Sequence, residues 1–236
     1  MAYEIHPLTE GFGTEVIGLN LSGELTEEDF ARVRDLFFEN SVVVFRDQDL
    51  APEAQEAFSR RFGDLMAHVL TQFQIPGHPD VLELSNRLDA DGNAIGFEDA
   101  GRYWHSDISY NAEPALGTML YAVDIPQEGG DTLFADMAAA YDALPEDVKQ
   151  KIDCRFAYHS YTINYKANES DAATRPDLTA EQLASLEDVL HPIVRTHEDT
   201  GRKALYVNPG FTYRVDGMEQ GESDALLQML FAHTQE

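Results

Sequence analysis

The sequence predicts a mainly β protein with helices packed against it, an α+β chain built on a double-stranded β-helix, or jelly roll. Three observations predict it. Short apolar runs rich in β-branched residues recur between turn residues along most of the chain. Helical patterns are confined to a few places. The 236 residues suffice for one sizeable core, a common size for a single β domain with long insertions.

Each element has a local reason. Thr26-Glu27-Glu28-Asp29 reads as a capping box, and Phe30, Val33, Leu36 and Phe37 supply the apolar stripe of the adjoining helix. Ser41 to Phe45 is β-branched and predicts a buried strand. Pro52 fits the first turn of a second helix running to Phe62, and Gly63 stops it. Val81 to Leu84 predicts a strand. Arg87 to Ala100, rich in Asp, Gly and Asn, predicts a mobile loop and a candidate lid over the segment from Tyr103 to Tyr110. Leu116 to Ile125 predicts a strand ending at Pro126, and the Gly129-Gly130 turn leads into another at Thr132-Leu133-Phe134. Asp136 caps a helix through Ala140 and Leu144, and Pro145 starts a further short one. Arg155 to Thr162 predicts a strand, and Leu178 to Val189 includes a helix. Ile193 to Thr196 and Ala204 to Val207 flank a charged turn and predict a hairpin. Ser223 is expected to cap the last helix, which carries Leu226, Leu227, Leu230 and Phe231.

Composition removes whole classes of function. Forty-three acidic against sixteen basic residues give a formal charge of -27. Such a surface repels nucleic-acid phosphates and anionic membranes, so neither is an expected partner. No apolar run is long enough to span a bilayer, and Met1 to Pro7 lacks the pattern of a signal peptide. A single cysteine, Cys154, rules out an intramolecular disulfide and makes the cytoplasm the default location. A homo-oligomer is a fair expectation that sequence does not decide.

The chemistry concentrates in Tyr103-Trp104-His105-Ser106-Asp107-Ile108-Ser109-Tyr110. On an extended segment, residues two apart point to the same face. His105 and Asp107 can then grip one metal ion from one side. That is two-thirds of the two-His-one-carboxylate triad of non-haem Fe(II) oxygenases. By itself the spacing is weak evidence, because a surface ion pair gives the same pattern. Asp89, Asp91 and Asn93 with Gly92 faintly suggest a calcium loop, but a downstream Glu at the required spacing is missing.

Longer motifs carry a resemblance. Trp104-His105-Ser106-Asp107, Gly129 to Asp136 and Ala139 to Leu144 are similar to one signature of the taurine dioxygenase family of Fe(II)/2-oxoglutarate oxygenases. His191-Pro192-Ile193-Val194-Arg195-Thr196-His197, Thr200 to Asn208, Gly210-Phe211-Thr212 and Leu230 to His233 resemble a second. The resemblance covers nearly the whole chain, as a single dioxygenase domain over residues 1–236.

It implies that His105 and Asp107 are iron ligands and that Thr132 contacts a carboxylate of 2-oxoglutarate. With O2 as second cosubstrate, the reaction would release CO2 and succinate and hydroxylate a substrate carbon. His68, Arg102, Tyr103, Asn208 and Phe211 lie where the family builds its substrate pocket. Arg102 or His68 could hold a sulfonate, sulfate or carboxylate head group. Arg102, Asn208 and Phe211 also have plainer structural readings, as a solvated loop residue, a turn former and a core aromatic.

The sequence departs from the family in one respect. The family's later motif, with the second iron-binding His and an Arg for the far carboxylate of 2-oxoglutarate, does not occur. The expectation is a C-terminally truncated sequence whose core lacks its last strands. The alternative is a degenerate member without catalytic competence, acting as a binding or structural protein. Of the downstream histidines, His191, His197 and His233 read as structural, and His159 is the least implausible substitute ligand.

Overall fold

The computed structural model describes residues 3–98, 100–163 and 178–235; position 99 of the predicted loop lies outside them. The chain divides into two units. One comprises Met1–Leu65, Met119–Asp136 and Glu198–Gly201, and the other Met66–Thr118, Met137–His197 and Arg202–Glu236.

The first unit is built on β1 (Glu4–Pro7), β2 (Thr14–Ile17) and β3 (Val43–Phe45), with β1 antiparallel and β3 parallel to β2. Helix α1 (Glu27–Asn40) starts as its sequence predicts. Thr26 Oγ1 accepts from the Asp29 amide at 3.1 Å, and three acids sit where the helix dipole favours negative charge. Helix α2 (Pro52–Ser59) ends before Phe62, because the chain tightens into i→i−3 bonds such as Phe62 N to Ser59 O at 3.0 Å. Phe30, Phe58 and Phe62 then meet edge to face, with centroids 4.9 to 6.3 Å apart, over a core of Val16, Val33, Leu36 and Leu50.

The expected strands at Leu116–Ile125 and Thr132–Phe134 do not form. Neither stretch has a ladder partner among the described residues, and Val123, Ile125 and Leu133 stand 85, 72 and 70 % exposed. Met119 and Tyr121 hold their stretch by other means. Gln55 Nε2 donates to the Met119 carbonyl at 3.3 Å, and the Tyr121 hydroxyl donates to the Gln48 carbonyl at 3.2 Å.

The second unit opens with a hairpin of β4 (Gln74–Ile75) and β5 (His78–Leu82). The predicted strand at Val81 starts three residues early because Pro76-Gly77 forms the turn, with Gly77 at φ 88°. Helices α3 (Met137–Ala143) and α4 (Glu146–Ile152) come next, as Asp136 and Pro145 predict. Strands β6 (Phe156–His159), β7 (Val189–Pro192) and β10 (Thr212–Val215) make an antiparallel sheet in the order β10-β6-β7. Between β6 and β7 lies α5 (Ala180–Ala184), where Thr179 and Gln182 form a complete capping box. Strands β8 (Val194–Thr196) and β9 (Lys203–Leu205) form the expected hairpin.

Helix α6 (Gln220–His233) packs Leu226, Leu227 and Leu230 onto Ile152, Ala157, Ile193 and Val215. Ser223 is not its cap. The helix starts after Glu219, and the buried Ser223 hydroxyl instead accepts from the Val215 amide at 2.8 Å. No helix among the described residues is long and apolar enough to cross a membrane.

Candidate active site

His105 and Asp107 lie in the second unit, on a segment that is not a strand. The chain passes His105 without ladder bonds and turns at Asp107 to Tyr110, with Ile108 at φ 55°. The two side chains nevertheless converge: His105 Nε2 lies 3.2 Å from Asp107 Oδ1.

Their outer atoms are already committed. His105 Nδ1 is 2.8 Å from the Tyr103 carbonyl oxygen. A carbonyl only accepts, so Nδ1 carries the proton of the neutral ring and Nε2 turns a lone pair towards the carboxylate. Asp107 Oδ2 accepts from the Thr118 hydroxyl at 2.6 Å, which leaves Oδ1 facing inward. Two lone-pair atoms this close repel unless a proton or a cation lies between them. The pKa shifts express the same fact. The hydrogen bond to Asp107 holds the His105 pKa above its usual value, and the one to His105 holds the Asp107 pKa below its own.

An aromatic wall stands beside the pair. The Phe211 ring meets His105 edge-on at 6.1 Å, Tyr103 at 6.3 Å and Tyr110 at 4.9 Å. Gly210 permits this approach. A Cβ there would lie 2.8 Å from both His105 Cβ and the Tyr103 ring, while the Gly210 amide donates to the Trp104 carbonyl at 3.1 Å. Trp104, the only tryptophan, is half-buried.

The remaining sequence candidates fall in different places. His68 is half-buried, and its Nδ1 accepts from the Leu70 amide at 3.1 Å. Burial lowers its pKa, and the charge of Asp107 partly offsets that. Arg102 is exposed. Asn208 is buried, with its amide donating to Ser109 Oγ at 3.2 Å and accepting from the Phe211 amide at 2.8 Å. Thr132 is exposed and belongs to the first unit.

Among the downstream histidines, His159 is fully buried, with Nδ1 3.2 Å from Ser109 Oγ and Nε2 3.2 Å from Thr212 Oγ1. His191 Nε2 donates to the Asn111 carbonyl at 2.9 Å. His233 reaches the Ala140 carbonyl at 2.8 Å. These three are engaged within the fold. Sequence reading assigns no site role to Thr118, Gly210 or Ser109. Only Gly210 gives a local signal there, as a glycine amid the Asn208-Pro209-Gly210-Phe211 run.

An imidazole and a carboxylate fit one side of an Fe(II) ion, since both inward atoms are lone-pair donors and both outer atoms are tied in place. Among the described residues no group of three His, Cys, Asp or Glu side chains completes a site.

Comparison with known proteins matches the model of the taurine catabolism dioxygenase TauD, TfdA family over residues 4–236. The chain is 34% identical over 242 residues to an alpha-ketoglutarate-dependent 2,4-dichlorophenoxyacetate dioxygenase of Cupriavidus pinatubonensis, covering 99% of this chain and 81% of that protein. It superposes on a taurine dioxygenase from Burkholderia xenovorans with a TM-score of 0.78 at 28% identity, over 99% of this chain and 74% of the other. A complex of AAD-2 with Mn(II) and N-oxalylglycine matches with a TM-score of 0.72 at 28% identity, over 100% and 80% of the two chains. The fold class of these structures, the double-stranded β-helix with helices, is thus that of this chain, which spans about three-quarters to four-fifths of each relative. The chain belongs to the TauD/TfdA family of taurine catabolism dioxygenases.

Proposed function

We propose that the protein is a 2-oxoglutarate-dependent dioxygenase that hydroxylates a small anionic organic compound: a sulfonate, an alkyl sulfate or an aryloxyalkanoate. The observation that carries this reading is the convergence of His105 Nε2 and Asp107 Oδ1 at 3.2 Å with both outer atoms already bonded. His105 and Asp107 would hold Fe(II). When bound, that metal supplies the coupling of 2-oxoglutarate oxidation by O2, with loss of CO2 and formation of succinate, to insertion of oxygen into a C–H bond.

The chain's own residues do the positioning. The Thr132 hydroxyl is assigned to a carboxylate of 2-oxoglutarate. N-oxalylglycine, bound by the AAD-2 relative, differs from that acid only by an NH in place of a CH2. His68 has its Nδ1 occupied by Leu70, so its neutral ring can donate from Nε2–H to an anionic head group, and Arg102 supplies the positive charge. Tyr103 and Phe211 give apolar walls that exclude water, and Asn208 braces Phe211 through the backbone. Hydroxylation beside a heteroatom would release sulfite, sulfate or a phenol together with an aldehyde or ketone. The 2,4-dichlorophenoxyacetate and taurine named for the relatives support the aryloxyalkanoate and sulfonate classes. A reducing cytoplasm, which keeps iron ferrous, suits the single free Cys154.

The test is anaerobic addition of Fe(II) and 2-oxoglutarate, then a succinate assay with sulfonates, alkyl sulfates and aryloxyalkanoates. A visible charge-transfer band and substrate-dependent succinate are expected. A chain that binds neither metal nor cosubstrate would leave the competing reading, a family member without catalytic competence.

A further inference from the structure

Immediately behind the His105–Asp107 face lies a closed ring of buried polar groups. Asn208 Nδ2 donates to Ser109 Oγ at 3.2 Å, and the same hydroxyl lies 3.2 Å from His159 Nδ1. His159 Nε2 lies 3.2 Å from Thr212 Oγ1, which accepts from the Asn208 backbone N–H at 3.0 Å and so closes the circuit. Ser109 and His159 are fully buried, and Thr212 and Asn208 expose only 4 and 7 %. Buried polar groups are tolerated when all their partners are present, and removing one leaves the others unsatisfied. The ring is therefore a rigid anchor. It fixes the backbone at Ser109, two residues beyond Asp107.

Between anchor and carboxylate sits Ile108, at φ 55°. A β-branched side chain in the left-handed region is strained and persists only where its surroundings impose it. Two backbone bonds close the turn, Ser109 N to Ser106 O at 3.3 Å and Asn111 N to Ile108 O at 3.0 Å. The first is long. His191 clasps the Asn111 carbonyl from the other side. Were Ile108 to relax to negative φ with Ser109 held, the Asp107–Ile108 peptide would swing about the Ile108 N–Cα bond and Asp107 would leave its place opposite His105 Nε2.

We propose that Ser109, held by Asn208 and His159, is a positioning residue that keeps Ile108 in its strained turn and thereby aims the Asp107 carboxylate at the metal. This rests on His105 and Asp107 being the metal-binding pair.

The test is a rescue experiment on the full chain, with Co(II) as the probe and its visible absorption as the readout, alongside thermal melts. Ser109→Ala should weaken Co(II) binding about tenfold while still melting cooperatively, as loss of a group supporting a ligand does. Ile108→Gly alone should bind as the wild type does, because glycine takes positive φ without penalty. The double variant Ile108→Gly/Ser109→Ala should recover most of the lost affinity, because the turn no longer needs an anchor. A merely structural serine would give no such recovery.

If Ser109→Ala does not fold, Asn208→Ala with and without Ile108→Gly asks the same question. Unchanged Co(II) affinity in Ser109→Ala overturns the proposal, as does a double variant that stays as weak as the single. A wild-type chain that gives no Co(II) spectrum defeats the metal-site reading itself, and the proposal with it.

Discussion

His105 and His159 lie in the same unit, and their rings meet opposite fates. His105 is 29% exposed in its side chain, with one nitrogen tied to a carbonyl and the other turned to a carboxylate. His159 is fully buried, with a hydroxyl at each nitrogen and the Tyr206 ring stacked on it at 5.5 Å. The neighbouring carboxylate raises the pKa of the first. Burial, aided by His191, brings that of the second down to about 3. Under the proposed function the first ring would share its lone pair with a cation, and the other is kept neutral as part of the frame. What separates them is whether a polar atom is left without a permanent partner.

Breaking the exposed half should have the largest effect. Asp107→Ala removes one inward donor and should reduce Co(II) binding and succinate formation to background, while the melting temperature changes little, since the side chain is half exposed. Displacing the pair without deleting it should come next. In Gly210→Ala the new methyl meets His105 Cβ and the Tyr103 ring at 2.8 Å, closer than ordinary contact. We expect about 1–3 kcal/mol of destabilisation by urea unfolding, and a parallel loss of metal affinity.

The two halves of this contrast differ in how far sequence reveals them. A His and an Asp two positions apart are neighbours on the chain, so their convergence is legible from spacing. The anchoring ring is not, because Ser109 meets His159 and Asn208 from 50 and 99 positions away. The turn at Ile108 is hidden for a stronger reason: a β-branched residue argues against positive φ, so only tertiary contacts can place it there. Similar logic explains the misassigned elements. Ser223 looks like a cap by residue type, but a buried amide on Val215 claims its hydroxyl. Leu116 to Ile125 reads as a strand by composition, yet a ladder needs a partner as well as a propensity. The helices at Thr26 and Pro52, whose signals are local, begin where the sequence places them.

Acid should expose the buried half of the contrast. The folded-state pKa of His159 lies below its unfolded value of 6.5, so the unfolded chain binds the extra proton between those limits. Its contribution to stability is therefore complete above pH 6.5 and is lost as the pH falls towards 3, at up to about 1.4 kcal/mol per pH unit. Urea unfolding from pH 7 to pH 5 should show this decline, and His159→Gln should flatten it. His191 and His68, also lowered by burial, push the same way.

The smallest effect should come from the other unit. Thr26→Ala deletes the cap of α1 and should cost about 1 kcal/mol. It should leave Co(II) affinity untouched, which sets the baseline for a change in stability alone.

The position of Trp104 has a practical consequence. The chain's sole indole is covalently next to His105. A paramagnetic ion seated on that imidazole would quench its emission, and a shift of the neighbouring backbone would alter its spectrum. Occupancy could then be monitored by intrinsic fluorescence in the unmodified protein, without a dye or an engineered label.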